Sequence, residues 1–278
     1  MHREGILLDK RPIGVFDSGL GGLTAVRELS RLLPAEEIIY FGDTGRVPYG
    51  GRSGETILKY ARQDVAFLRT FDLKAIVIAC GTVSANALEP LRSENPIPVF
   101  GVVEPAGLAA VKETRNRRVG LIGTQASIRS GAYERVIRTL DPAVTVIAAS
   151  CPLLVPLVEN GRFKPGDCVA ETVTAEYLEP IKKAGVDTLV LGCTHYPLLK
   201  PLISAYMGQS VALIDSGEQC ARMVASLLAR QDVLAPAGRE GAHRYYVSDT
   251  AEGFARLASL FLQRDVAARV NRVDIDAF

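Results

Sequence analysis

The chain lacks several things that would have pointed elsewhere. Its five cysteines, at 80, 151, 168, 193 and 220, contain no C-x-x-C pair. An odd, unpaired set argues against a disulfide framework and against a closed structural zinc site, so the thiols are expected to be reduced and individually placed. Net charge is nearly absent as well. Thirty-two Lys and Arg stand against 31 Asp and Glu, leaving +1, with no basic footprint of the kind a phosphate backbone demands; no nucleic-acid partner is expected. No apolar run approaches the roughly 18 residues of a membrane span, and the opening "MHREGILLDKRPIGVF" holds no signal-like stretch. A cytoplasmic protein with no membrane partner is the expectation.

What is present is apolar enough for a real core: 48% of 278 residues are hydrophobic, sufficient for one large domain or two of ordinary size. "PIGVFDSGLGGLTAVRELSRLLP" reads as a strand at Ile13 to Phe16, a Gly-rich turn, and a helix from about Thr24 that ends before Pro34. "EEIIYFGD" supplies a second strand, and Ser53 is placed to cap a helix running to about Leu68, with Ile57, Ala61, Val65 and Leu68 on one face. "LKAIVIACG" is a continuous, β-branched apolar run, as expected of a strand buried on both faces of a parallel sheet. Strand and helix keep alternating through "RRVGLIGTQAS", "VTVIAAS", "VDTLVLGCTHYPLL" and "VALIDSGEQCARMVASLLAR". That order predicts an α/β fold with doubly wound parallel sheets. Ligands in such folds sit beyond the carboxyl ends of the strands, where Asp17, Asp43, Cys80, Thr124 and Cys193 fall.

The chain echoes itself. "IGVFDS" at Ile13 resembles "VGLIGT" at Val119, an offset of 106, and "AIVIACGT" resembles "TLVLGCT" with Cys80 and Cys193 offset by 113. Near-equal offsets suggest two similar halves. "LIDSGE" at Leu213 repeats the N-terminal Asp-Ser-Gly, so the chain is expected to return to its first domain there. The predicted division is 1–102 plus 214–278 for one domain and 103–213 for the other. The tail after Gly238 reads as a loop, one strand and a helix.

"DSGLGGLT" invites a nucleotide reading, but a dinucleotide fingerprint would want Gly at Thr24 and a P-loop would want Gly-Lys-Ser/Thr. A tight turn before a helix explains it, with helix N-H groups available to a carboxylate. Free cysteine is usually a buried packing residue, and Cys151, Cys168 and Cys220 are read that way. Cys80 and Cys193 differ: both end apolar strands and both are followed within two residues by threonine. His195, one of three histidines, follows Cys193 by two positions and can lower a thiol's pKa or relay its proton. A hydrolase needs such a dyad once and would leave Cys80 without a purpose; a zinc site needs further ligands. Two matched thiols suit racemisation, in which one group removes a proton from one face of a carbon while another delivers a proton to the opposite face.

Taken in order, "GVFDSGLGGLTAVRELSRLLP", "YFGDTGRVPYGGRS", "IACGTVSAN", "CPLLVPLVENG", "LVLGCTHYPLL", "LIDSGE" and "YYVSD" resemble the glutamate racemases of the aspartate/glutamate racemase superfamily, over essentially Ile13 to Leu262. The resemblance implies two α/β domains with glutamate held in the cleft between them, no cofactor and no metal. It makes Cys80 the base toward D-glutamate and Cys193 the base toward L-glutamate. Asp17 and His195 would assist the neighbouring thiols, and Glu159 would be a further acidic residue of the site. Ser18, Tyr49, Gly50, Gly81, Thr82, Thr124 and Thr194 would line or adjoin the substrate pocket. The biological role implied is supply of D-glutamate for peptidoglycan precursors in a bacterial cytoplasm. A homodimer is compatible with the sequence, which does not fix the oligomeric state.

One position departs from the family pattern: after the first cysteine the family usually has Asn-Thr, and this chain has Gly81-Thr82. The side-chain amide is missing there. Alternatives in view are a racemase or isomerase of another acid, aspartate or maleate, and a glutamate-binding regulatory protein with little turnover. Residues 1–12 carry no readable function.

Overall fold

The computed structural model describes residues 9–238, 240–262 and 270–278. Strand and helix alternate almost without exception. The first half runs β1 (Ile13–Asp17), α1 (Leu23–Leu32), β2 (Ile38–Gly42), α2 (Gly54–Leu68), β3 (Ala75–Ile78), α3 (Gly81–Glu94), β4 (Val99–Gly101) and α4 (Val103–Glu113). The second runs β5 (Arg118–Gly123), α5 (Gln125–Ser130), α6 (Ala132–Leu140), β6 (Thr145–Ser150), α7 (Leu154–Glu159), α8 (Cys168–Lys183), β7 (Thr188–Leu191), α9 (Lys200–Met207) and β8 (Ala212–Asp215). The chain then continues through α10 (Ser216–Arg230), β9 (His243–Val247), α11 (Ala251–Leu262) and β10 (Val270–Arg272).

All strand pairs are parallel. One sheet has the order β10-β9-β2-β1-β3-β4 and the other β6-β5-β7-β8. Within the first, β2-β1-β3-β4 repeats the order of the second, strand for strand. The sequence echo therefore falls on equivalent strands: β1 with β5, and β3 with β7. β1 and β3 are buried along their whole length, as a sheet covered by helices on both faces requires.

Local signals explain the helix starts. Ser53 accepts from the Thr56 amide at α2, Thr124 from Ser127 at α5, Asp167 from Val169 and Ala170 at α8, and Asp215 from Gly217 and Glu218 at α10. Each satisfies donors that the helix itself leaves open. Ile57, Ala61, Val65 and Leu68 of α2 are all buried.

The expected junction at 213/214 falls inside β8, which pairs with β7 through Asp215. The second sheet thus extends two residues further than the Asp-Ser-Gly echo suggested, because Asp215 closes the strand and caps α10 in the same residue. α10 makes the return, packing on α1 where a substituent on Gly217 would stand 3.3 Å from Ala25 Cβ. The tail carries two elements more than the sequence reading allowed: β10 adds to β9 at the sheet edge, and a turn of 3-10 helix follows at Ile275–Ala277, whose Ile275 packs with Phe16 and Ile57 in one core cluster.

Candidate active site

Parallel sheets bring the carboxyl ends of their strands to one edge, and here the two sheets face each other along it. Cys80 follows β3 and caps α3; Cys193 follows β7, one residue beyond Gly192. The two thiols stand on equivalent strands of the two sheets and line one cavity of about 470 Å³. Ser18, Tyr49, Gly50, Gly81, Thr82, Thr124, Glu159, Thr194 and His195 line it as well. Of the residues that the resemblance assigns to the site, Asp17 alone is absent from the wall. It lies behind Cys80, fully buried, with one carboxyl oxygen accepting from the Gly19 amide and the other without a partner.

The surroundings of the two sulfurs differ. Cys80 Sγ is 3.3 Å from the Ser18 hydroxyl. Burial and the Asp17 carboxyl push its pKa up to about 12, only partly offset by the hydrogen bond from Ser18 and the Val83 amide. Cys80 therefore rests as a thiol. Burial raises Asp17 too, against the pull of His195 and the Gly22 and Gly19 amides.

On the other side, Cys193 Sγ is 3.8 Å from His195 Nδ1, and His195 Nε2 is 3.0 Å from Glu159 Oε1. Burial alone would lower the histidine; the hydrogen bonds and negative charge of Cys193 and Glu159 outweigh it and raise the pKa to about 10. His195 is thus held as an imidazolium beside Cys193, where it can hold the proton that the thiol gives up. The pair of environments keeps one sulfur protonated and offers the other a positive neighbour.

Hydrogen bonds tie the two halves together around the cavity. Thr82 and Thr124 hydroxyls are 2.9 Å apart, Thr24 Oγ1 donates to the Thr194 carbonyl at 3.0 Å, and the Ala126 amide donates to the Gly50 carbonyl at 2.8 Å. Tyr49 is anchored from below: its hydroxyl donates to Asp43, which also accepts from Arg46 at 2.6 Å and from the Ser248 hydroxyl at 2.7 Å. Asp43, at the end of β2, serves this anchor rather than the cavity.

Sequence reasoning missed part of the wall. Val47, Pro48, Gln125, Cys151, Pro152, Val155 and Pro156 line the cavity. Cys151 had been read as packing; it is fully buried at the cavity wall, with burial and Cys193 pushing its pKa up to about 12. It directly follows β6, and that place at the carboxyl end of a strand was a signal available in the sequence. The apolar wall residues gave none, because Val and Pro in a loop look alike whether they face a ligand or solvent. Cys220 is buried and Cys168 exposed, both away from the cavity. Among the described residues no group of three or more His, Cys, Asp or Glu side chains could hold a metal ion, and no helix is long and apolar enough to cross a membrane.

The Asp/Glu/Hydantoin racemase family model matches residues 13–224. A glutamate racemase from Geobacter metallireducens is 48% identical over 252 residues, covering 91% of this chain and 93% of that protein. Among solved structures, a glutamate racemase from Bacillus anthracis superposes with a TM-score of 0.91 at 38% identity, covering 95% of this chain and 97% of that one. Glutamate racemase from Francisella tularensis in complex with D-glutamate gives a TM-score of 0.90 at 38% identity, with 98% and 100% covered.

Proposed function

The chain belongs to the Asp/Glu/hydantoin racemase family, and on that footing we propose that it interconverts L-glutamate and D-glutamate by a cofactor-independent two-base reaction at Cys80 and Cys193. The observation that carries this reading is the placement of both thiols on equivalent strands of two like sheets, around one cavity. Cys193, as thiolate, removes the α-proton of L-glutamate: the C-H bond breaks, an S-H bond forms, and the electron pair passes toward the substrate carboxylate. Cys80, as thiol, gives its proton to the opposite face, leaving D-glutamate and the reversed protonation state. The reverse reaction exchanges the roles.

His195, backed by Glu159, supplies positive charge beside Cys193; beside Cys80 the Asp17 carboxyl favours the protonated thiol, while Ser18 offers the sulfur a hydrogen bond. Tyr49, Gly50, Gly81, Thr82, Thr124 and Thr194 surround the substrate. We read the two sheets with their helices as two lobes that hold the substrate between them, 1–102 with the C-terminal return forming one and 103 to about 215 the other. The role that fits is supply of D-glutamate for peptidoglycan in a bacterial cytoplasm.

The test is incubation of L-glutamate with the protein in D₂O. D-glutamate carrying deuterium at the α-carbon is expected; no exchange and no inversion by the wild type would sink the reading. Turnover of aspartate or maleate in preference to glutamate would move the assignment to another acid.

A further inference from the structure

The position that departs from the family pattern lies where the two lobes touch. Gly81 opens α3 directly after Cys80, and its backbone sits against the carbonyl of Gly192, the residue directly before Cys193. A Cβ on Gly81 would stand 2.3 Å from Gly192 O and 3.2 Å from its carbonyl carbon. The obstacle is main chain, so no rotamer change removes it. Gly192 is itself fixed, donating its amide to the Ile122 carbonyl at 2.8 Å. Elsewhere along the seam, glycines meet side chains: Gly21 faces Thr194 and His195, and Gly50 faces Thr124. At Gly81 the two cysteine-bearing segments meet backbone to backbone.

We propose that Gly81 is a positioning residue that sets the separation of Cys80 and Cys193 by letting the start of α3 seat directly on the Gly192 carbonyl. Any side chain at 81 must move the lobes apart by roughly 1 Å to bring 2.3 Å to an ordinary contact. Both thiols must reach one carbon from opposite faces in the same encounter, so that displacement acts on the chemistry more than on binding. This inference rests on the racemase reading above. It also gives a physical reason why no amide side chain stands at 81: its space is occupied by the Gly192 carbonyl.

The test compares Gly81→Ala with Gly54→Ala, which adds the same methyl to the first residue of α2, where the nearest atom is 3.8 Å away. In D₂O with L-glutamate, Gly81→Ala is expected to lose about 10- to 100-fold in kcat with a much smaller change in KM. The ratio of inversion to exchange without inversion should fall at least about threefold, since one thiol can remove and return a proton on its own face while the other is out of reach. Gly54→Ala should match the wild type in all of these, and only Gly81→Ala should lower Tm. Wild-type kcat and an unchanged inversion-to-exchange ratio in Gly81→Ala would overturn the proposal. Should that variant not fold, a crystal structure of the wild type with D-glutamate decides: Gly81 in van der Waals contact with Gly192 O supports it, and a gap wide enough for a side chain refutes it. A wild type without racemase activity would strike the functional reading, while the Tm comparison and the crystal structure would still report on the seam.

Discussion

Glu159 Oε1 lies 3.0 Å from Nε2 of His195, on the opposite side of the ring from the nitrogen that faces Cys193. This carboxylate helps hold His195 at about 10, and the sign of its effect on stability follows. The folded protein binds the histidine proton more tightly than the unfolded chain does. The contribution is fully present below the unfolded value near 6.5 and is lost as pH rises through about 10.

Glu159→Gln should move the alkaline limb of kcat/KM to lower pH, by up to about one unit since the carboxylate is partly exposed. Substrate and product are enantiomers, so the equilibrium constant is one and the limb must move equally in both directions. Full pH-rate profiles for L- and D-glutamate check this; a limb that stays in place removes Glu159 from the role given to it.

Cys80→Ala and Cys193→Ala should each lower racemisation by about 10²- to 10⁴-fold, the usual worth of a positioned acid or base. Both side chains are buried but small, so thermal unfolding should confirm that the variants fold. Near-normal polarimetric turnover by either one is incompatible with a two-base assignment. Cys151→Ala, which removes a wall thiol with no partner role, should reduce kcat far less than either.

How much of this was legible in the sequence follows from where the determining interactions lie. β3 and β7 were readable because a fully buried parallel strand is a run of apolar residues whatever surrounds it. Cys80 and Cys193 were readable because each breaks such a run with the same chemistry. β10 was not: Val270–Arg272 is three residues long, largely exposed, and exists through pairing with β9. The Gly81–Gly192 contact was not legible either, since it joins residues 111 positions apart through backbone alone, and glycine leaves no side-chain pattern to read.

The anchor beneath Tyr49 holds two fully buried carboxylates, Asp43 and Asp64, against one guanidinium, Arg46, whose distances to them are 2.6 and 2.9 Å. Burial and the charge of Asp43 raise Asp64 well above the carboxylate range, despite the opposing pull of Arg46 and Tyr49. Burial thus favours the protonated form of Asp64 within the cluster. Above an unfolded pKa near 3.8 the folded state binds that proton, so this group's contribution declines as pH rises toward its folded value. Asp64→Asn should therefore be mild at neutral pH and should flatten that decline. Asp43→Ala, which strips Arg46, Tyr49 and Ser248 of a common acceptor, should cost about 3–5 kcal/mol. Chemical denaturation of both variants at several pH values checks the pair; equal losses would show that Asp64 is ionised.

Lys74 and Glu36 form a second buried charge pair far from the cavity, 2.6 Å apart and almost wholly shielded. The ammonium also donates to the carbonyls of Asp9 at 2.9 Å and Val233 at 2.8 Å, and Glu36 accepts the Ala235 amide at 2.8 Å. The pair therefore fastens the chain before β1 and the segment after α10 to the start of β3. Removing one charge strands the other in the interior, and Lys74→Met or Glu36→Gln alone should cost about 3–5 kcal/mol. The double variant removes both desolvation costs and should lose much less than the sum, with a coupling of at least about 2 kcal/mol in a double-mutant cycle. Below the unfolding transition kcat should stay at the wild-type level in all three variants, because neither residue approaches the cavity. Additive losses would show that the two charges are not coupled, and a selective fall in kcat would show that the pair acts on the site.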